Sequence, residues 1–283
     1  MLLELAGRHP LLRRDLVVRQ AEPGRLVLDA RRLAFASPLD LTAAAACVHT
    51  HAGAGSSITL LLPASPDVTS YMQRMDLLEA LPHGTHVEGA APGKTRYDRS
   101  TTLHEVAHLR PDTADAIGGK IGQMAIRHLG TRDGRRVFKG VGELIDNATS
   151  HGASTCGAFI AAQAYSGKTT GYRRLEIAVC DTGIGVLSHL RRNPTHARIA
   201  TSAEALRHAL RPGVSGTQDK RGNGLPDLLS GPGGTAATRL VLRSGDGLLR
   251  TSRLRGNNAP THSADTSTPV QGTWSWLRVS YRS

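Results

Sequence analysis

Aromatic side chains make up only 4% of this 283-residue chain. It therefore lacks the stacked platforms on which single-stranded nucleic acids are bound. No run of about eighteen apolar residues occurs, so no helical membrane span is expected. Met1-Leu-Leu-Glu-Leu-Ala has no basic start ahead of a long apolar core, so no signal peptide is expected either. The three cysteines, Cys47, Cys156 and Cys180, are scattered and without metal-ligand spacing. Two fall in expected strands and one in an expected helix, which reads as buried, reduced thiols in a cytoplasmic protein. Lysine is scarce as well: five lysines stand against 30 arginines. The formal net charge of +12 and pI near 10.4 are spread along the chain rather than run together. Weak non-specific attraction to nucleic acid follows from that charge, whereas specific binding is not expected. A genome biased toward arginine and alanine codons would produce the same composition.

What the chain does contain divides into two blocks. In the first, Leu16-Val-Val18 and Leu26-Val-Leu28-Asp29 read as strands. Pro38 opens an alanine-rich helix through Val48, Ser57 to Leu62 is a strand ended by Pro63, and Val68 to Leu81 a second helix. Strand and helix alternating at this spacing imply a small α/β domain over residues 1–82. Residues 83–109 carry proline and glycine punctuation and read as a linker. Residues 110–283 form the second block, beginning with a helix over 112–129 whose buried side is Ile117, Ile121, Met124, Ala125 and Leu129.

Residues 139–151, KGVGELIDNATSH, organise that second block. Val141, Leu144, Ile145 and Ala148 recur at three- and four-residue steps, so the stretch predicts an amphipathic helix. Glu143 and Asn147 are one turn apart on one face. Such a carboxylate and amide can activate a nucleophile and hold a hydrated divalent ion, although the same spacing also suits a plain solvated face. Leu175 to Cys180 alternates as a strand and runs into Asp181-Thr-Gly183-Ile-Gly185. There a carboxylate can accept from a base amino group while bare backbone lets the ring approach. Lys220 and Arg221 precede Gly222 and Gly224, and Leu225 starts a short helix with Pro226 in its first turn. Free N–H groups beside two cations suit a polyphosphate.

Together these residues resemble the GHKL ATPases, the gyrase and histidine-kinase superfamily with the Bergerat fold. Glu143-x-x-x-Asn147 is similar to the N box, Asp181-x-Gly183-x-Gly185 to the first glycine box and Gly222-x-Gly224 to the second. Gly272-Thr273 is similar to the final box, and the resemblance covers roughly residues 110–283. Glu143-Leu-Ile-Asp-Asn-Ala followed by His151-Gly152 looks most like the anti-sigma-factor serine kinases and their soluble relatives. The resemblance implies an α+β fold, a two-layer α/β sandwich with ATP between a mixed sheet and a helical layer. It further implies Asp181 and Thr273 at adenine, Asn147 on Mg2+, and Gly183, Gly185, Gly222, Gly224 and Leu225 around the nucleotide. Lys220 or Arg221 would lie against phosphate, and Glu143 would be the general base acting on water or on a partner's hydroxyl. Residues 186–221 have the position of the ATP lid. A regulatory protein partner is expected, and a homodimer is possible.

The first block is similar in order to the STAS domain of anti-anti-sigma factors, through Leu28-Asp29, Phe35-Ala-Ser-Pro-Leu, the Ile58–Leu62 strand and the Tyr71–Leu78 helix. Where those domains carry a phosphorylated serine this chain has Pro38 or Leu39, with Ser37 nearby, so docking is the favoured role. Gly89 to Thr95 is one residue short of a phosphate-loop spacing and follows no strand. Leu103-His104-Glu105-Val-Ala-His108 suggests a helix with a phosphoacceptor histidine, an orphan histidine kinase. Only about forty residues separate it from the N box, too few for a dimerisation hairpin, and surface histidines are the plainer reading. An ATP-gated interaction switch with little turnover remains the rival to an ATPase or kinase.

Overall fold

The computed structural model describes residues 1–20, 22–93, 99–151, 156–168, 171–214, 237–254, 257–258 and 260–282. The N-terminal block builds a five-stranded sheet in the order β3-β1-β4-β6-β7, where β1 is Leu2–Glu4, β3 Val17–Arg19, β4 Arg25–Asp29, β6 Ser57–Leu61 and β7 His86–Glu88. Pairings β1–β4, β4–β6 and β6–β7 are parallel, and β3 is an antiparallel edge. A small parallel pair, β2 (Gly7–Arg8) with β5 (Leu33–Phe35), lies beside it. Leu26 and Leu28 alternate inward along β4, as a strand with one face on the core requires.

Helix α1, Pro38–Gly53, is apolar nearly all round, and a helix of that kind is covered on every side. It packs on β4 and β6 of the small sheet and on four strands of the large sheet described below. Alanines 43 to 46 are all buried and let both layers approach closely. The helix starts with a capping box: Asp40 N–H donates to Ser37 Oγ at 3.3 Å, and Ser37 N–H to Asp40 Oδ2 at 2.8 Å. Ser37 Oγ also donates to Asp40 Oδ2 at 2.7 Å, and Leu11 N–H to Oδ1 at 3.0 Å. Asp40 is buried, which raises its pKa, while those donors pull the other way. Ser37→Ala is expected to cost about 1–2 kcal/mol, the upper range for a lost N-cap, measured by urea denaturation. Ser37 is wholly buried in this cap.

The helix expected over 68–81 is two: α2, Pro66–Arg74, and α3, Leu77–Ala80, separated where Asp76 adopts φ 56°. The expected linker also carries structure, since β7 joins the small sheet and β8, Leu103–Leu109, joins the large one. The histidine-bearing segment is therefore a strand and not a helix. A register shift between His104 and Ala107 explains the misreading, because a bulge adds a residue and resets the two-residue alternation. His104 sits with its Nδ1 2.9 Å from the Glu105 carbonyl oxygen, and burial lowers its pKa.

The large sheet runs β12-β11-β13-β10-β9-β8, with β9 Ala158–Tyr165, β10 Tyr172–Asp181, β11 Ala237–Leu254, β12 Asn257–Asn258 and β13 His262–Arg282. Its described pairings are all antiparallel, correcting the expected mixed sheet. Strands β11 and β13 each contain a stretch whose composition is that of a turn or loop. Ser244-Gly-Asp-Gly247 is not a tight turn but a bulged stretch of one long strand, with Gly245 at φ 57°. A glycine-rich bulge and a hairpin turn have the same local composition. The polar residues 262–268 are strand as well, paired to β11 through Arg250 opposite His262.

One face of this sheet meets α1. The other meets α4, Pro111–Asp146, which breaks at Gly130 (φ 77°, ψ 167°) and doubles back. Gly122 on the first arm faces the Phe138 ring, and Gly118 faces Ile145, so the two arms of α4 pack against each other. Ile117, Ile121, Val141, Leu144 and Ile145 share one core with Ile160, Leu175, Ile177 and Val179. The protein is thus α+β: small sheet, α1, large sheet, α4 hairpin. Among the described residues no helix is long and apolar enough to cross a membrane. Cys180 is buried and Cys47 is half-buried, but Cys156 is half-buried in the bend before β9 rather than inside a strand.

Candidate functional site

The second arm of α4 buries Val141, Leu144 and Ile145 against the sheet. That places Glu143, half-buried, and Asn147, exposed, at the margin of the same helical face. At Asn147 the helix widens into a π turn, Asn147–His151, which packs on β10. Its first backbone N–H still donates to the Glu143 carbonyl oxygen. Single π turns of this sort recur at functional sites.

Strand β10 supplies the opposing group. Cys180 points to α1, where its Sγ lies 3.2 Å from Thr42 Oγ1. Alternation then turns Asp181 to the α4 side, with Val179 and Ile177. Asp181 is only 6% exposed. Burial pushes its carboxyl up to about 6, against the pull of backbone donors from Gly183 and Thr273. Gly183 N–H donates to Asp181 Oδ1 at 2.8 Å. The carboxylate is thus fixed by the loop it begins.

The loop is tied to the neighbouring strands by a residue whose role was not legible beforehand. Ser244, buried in β11, donates through Oγ to the Gly272 carbonyl oxygen at 2.9 Å and accepts from Val186 N–H at 2.9 Å. Its Oγ also lies 3.3 Å from Thr273 Oγ1. The Gln271 side-chain amide donates to the Gly183 carbonyl oxygen at 2.5 Å. Nothing local marks Ser244, because the register that sets it opposite Thr273 forms only when β11 and β13 pair. Gly272, at φ 75°, leaves no room for a side chain: a Cβ there would overlap the Asp181 carbonyl and lie 2.7 Å from Asp181 Oδ1.

Gly185, φ 76°, begins α5, Gly185–Arg191, and its own Cβ would come within 2.8 Å of Ser244 Oγ. Beyond it α6, Ser202–Ala209, is capped by Thr201, whose side chain accepts from Glu204 N–H at 3.2 Å. Glu143, Asn147, Asp181, Gly183, Gly185 and Thr273 are therefore placed at the α4 side of one sheet end. Lys220, Arg221, Gly222, Gly224 and Leu225 lie outside the described residues, as does most of the stretch between α6 and β11. Among the described residues there is no group of three or more His, Cys, Asp or Glu side chains that could hold a metal ion.

A buried carboxyl of this kind predicts a pH response of fixed sign. As pH falls through about 6, Asp181 gains a proton and becomes a weaker acceptor for an amino group, since only its carbonyl oxygen still accepts. Any ligand donating to it should bind more weakly at pH 5 than at pH 7.5, and this dependence should vanish in Asp181→Asn, read by calorimetry.

No family model and no curated protein matches this chain. Among solved structures, it is similar to the ATP-binding domain of topoisomerase IV from Francisella tularensis, determined with a small-molecule inhibitor, at 10% identity and a TM-score of 0.27. That match covers 64% of this chain and 75% of the other. A likeness at that level decides neither fold nor function.

Proposed function

We propose that this chain is an ATP-binding protein of the GHKL type that hydrolyses ATP or transfers its γ-phosphate to a partner protein. The observation that carries the reading is the buried Asp181 at the end of β10, held by Gly183 N–H and packed so tightly on Gly272 that no side chain fits. A rigid acceptor beside bare backbone is what recognition of an adenine amino group requires. The N-box arm of α4 lies on the same side of the sheet.

In this reading Asp181 accepts from the adenine amino group, with Thr273 beside it. Asn147 holds magnesium against the phosphates, and Glu143 takes the proton from the attacking hydroxyl or water. Gly183 and Gly185 present backbone to the nucleotide. Lys220 and Arg221, followed by Gly222, Gly224 and Leu225, neutralise and cradle the phosphates. The anti-sigma-factor kinases are the relatives this reading points to. A partner then supplies the acceptor hydroxyl, because Ser37 is buried as a helix cap.

The test is calorimetric titration with ATP and magnesium. Asp181→Asn should weaken binding about tenfold to a hundredfold, as expected for a hydrogen bond to a charged group. Unchanged affinity in that variant would remove the site assignment. A second reading, an ATP-gated interaction switch with little turnover, is favoured by one contact. Helix α1 of the N-terminal block touches Cys180, the residue before Asp181, through Thr42, so nucleotide at Asp181 and a partner on the N-terminal block could sense each other. Phosphate release measured on the same sample separates the two.

A further inference from the structure

Outside this site, cations cluster where sheet pairing disfavours them. Arg239 on β11 stands directly opposite Arg278 on β13, and Arg250 stands opposite His262 in the same pair of strands. The two guanidiniums of Arg239 and Arg278, directly opposite on one sheet face, repel. Both pairs face one open groove of about 500 Å³ on the α1 side, which His9 and Trp276 also line. No carboxylate is among its described lining residues. Two buried carboxylates approach lining residues from behind: Glu176 Oε1 on β10 lies 3.9 Å from an Arg278 nitrogen, and Asp40 Oδ2 lies 3.8 Å from His9 Nδ1.

The groove is built rather than incidental. Arg278 is held over the Trp276 ring at 5.1 Å. Arg250 donates to the Leu12 carbonyl oxygen of the N-terminal block. Burial lowers the pKa of Arg278, and repulsion from Arg239 and Arg174 adds to the effect while Glu176 opposes it. Burial likewise lowers that of His9, followed by repulsion from Arg278, Arg8 and Arg174. An anion here would relieve repulsion that the fold leaves in place. Guanidinium forks match phosphate oxygens two at a time, and the volume is that of a small-molecule site. The Trp276 ring is buried beneath Arg278, so it offers no face for stacking a base.

We propose that this groove is a second anion site that takes a small polyphosphate group. It lies on the face of the large sheet away from Asp181 and does not depend on the nucleotide reading.

Intrinsic fluorescence tests it, because the chain has two tryptophans, Trp274 and Trp276, and both side chains pack on this face. Titration of the full-length protein with sodium tripolyphosphate should shift their emission to saturation. In Arg239→Gln, an exposed position, the midpoint should rise at least about tenfold, and His262→Gln should raise it less. Lys220→Gln, at the residue that the nucleotide reading sets against phosphate, should leave the midpoint unchanged, which keeps a failure here distinct from a failure at the nucleotide site. No emission change, an unaltered midpoint in Arg239→Gln, or loss of the response in Lys220→Gln would each overturn the proposal. So would displacement of tripolyphosphate by a glutamate-rich peptide or a single-stranded oligonucleotide at lower concentration, since the groove would then serve a macromolecule.

Discussion

Glu143→Ala should abolish phosphate release, by a factor of about 10²–10⁴, while ATP affinity stays at the wild-type level. That factor is what a positioned general base contributes to a proton transfer. The separation of rate from affinity follows from geometry. Glu143 stands at the half-buried margin of α4, while the apolar residues beside it, Leu144 and Ile145, carry the packing. Truncating a side chain there removes no core contact, so the helix and Asn147 keep their places. Stability should change by no more than about 0.5 kcal/mol, the usual range at such positions. Phosphate release from Mg-ATP, with and without candidate hydroxyl acceptors, is the measurement. Release that persists in Glu143→Ala would mean that another group takes the proton. Loss of both binding and release would mean that Glu143 holds the site together.

Gly272→Ala should be the most damaging single-methyl change in the large sheet. Two costs coincide there. The backbone at φ 75° is one that L side chains rarely adopt, and the new Cβ would run into the Asp181 carbonyl group and its Oδ1. The first cost is about 1 kcal/mol. The second is larger, because the obstacle is main chain that cannot rotate away, so β13 and the end of β10 must separate. A total loss of roughly 2 kcal/mol or more is expected, together with loss of ATP binding. Gly55→Ala is the control: it has a similar backbone, φ 80°, but nothing within 4 Å of the added methyl, and should show the first cost alone. Equal melting shifts in the two variants would mean that the crowding at Asp181 is relieved by a small adjustment.

These two glycines also mark where reading the chain succeeds and where it stops. The elements around the site were legible because each is coded locally. The arm that carries Glu143 has a helical apolar period through Val141, Leu144, Ile145 and Ala148, β10 is a run of alternating aliphatics, and the Asp181-Thr-Gly-Ile-Gly185 turn carries its own punctuation. The α1 helix was legible for the same reason, from Pro38 and the alanines. Three stretches were not. Leu103–Leu109 hides its alternation behind a bulge, Ser244–Gly247 looks like a turn, and residues 262–268 form a polar strand whose hydrogen-bond partners lie on β11. In all three, the structure depends on pairing with residues distant in sequence.

The sequence by itself determined the helix that carries Glu143 and Asn147 and the strand that ends in Asp181, since propensity and periodicity act over one or two turns. Only the tertiary structure decided that Asp181 turns to the α4 side and Cys180 to α1, that Ser244 ties Gly272 to Val186, and that Arg239 and Arg278 meet across a groove. Each of those depends on strand register. A shift of one residue would turn every side chain of the strand to the other face, and register is set by the packing of whole layers, which no short stretch of sequence encodes.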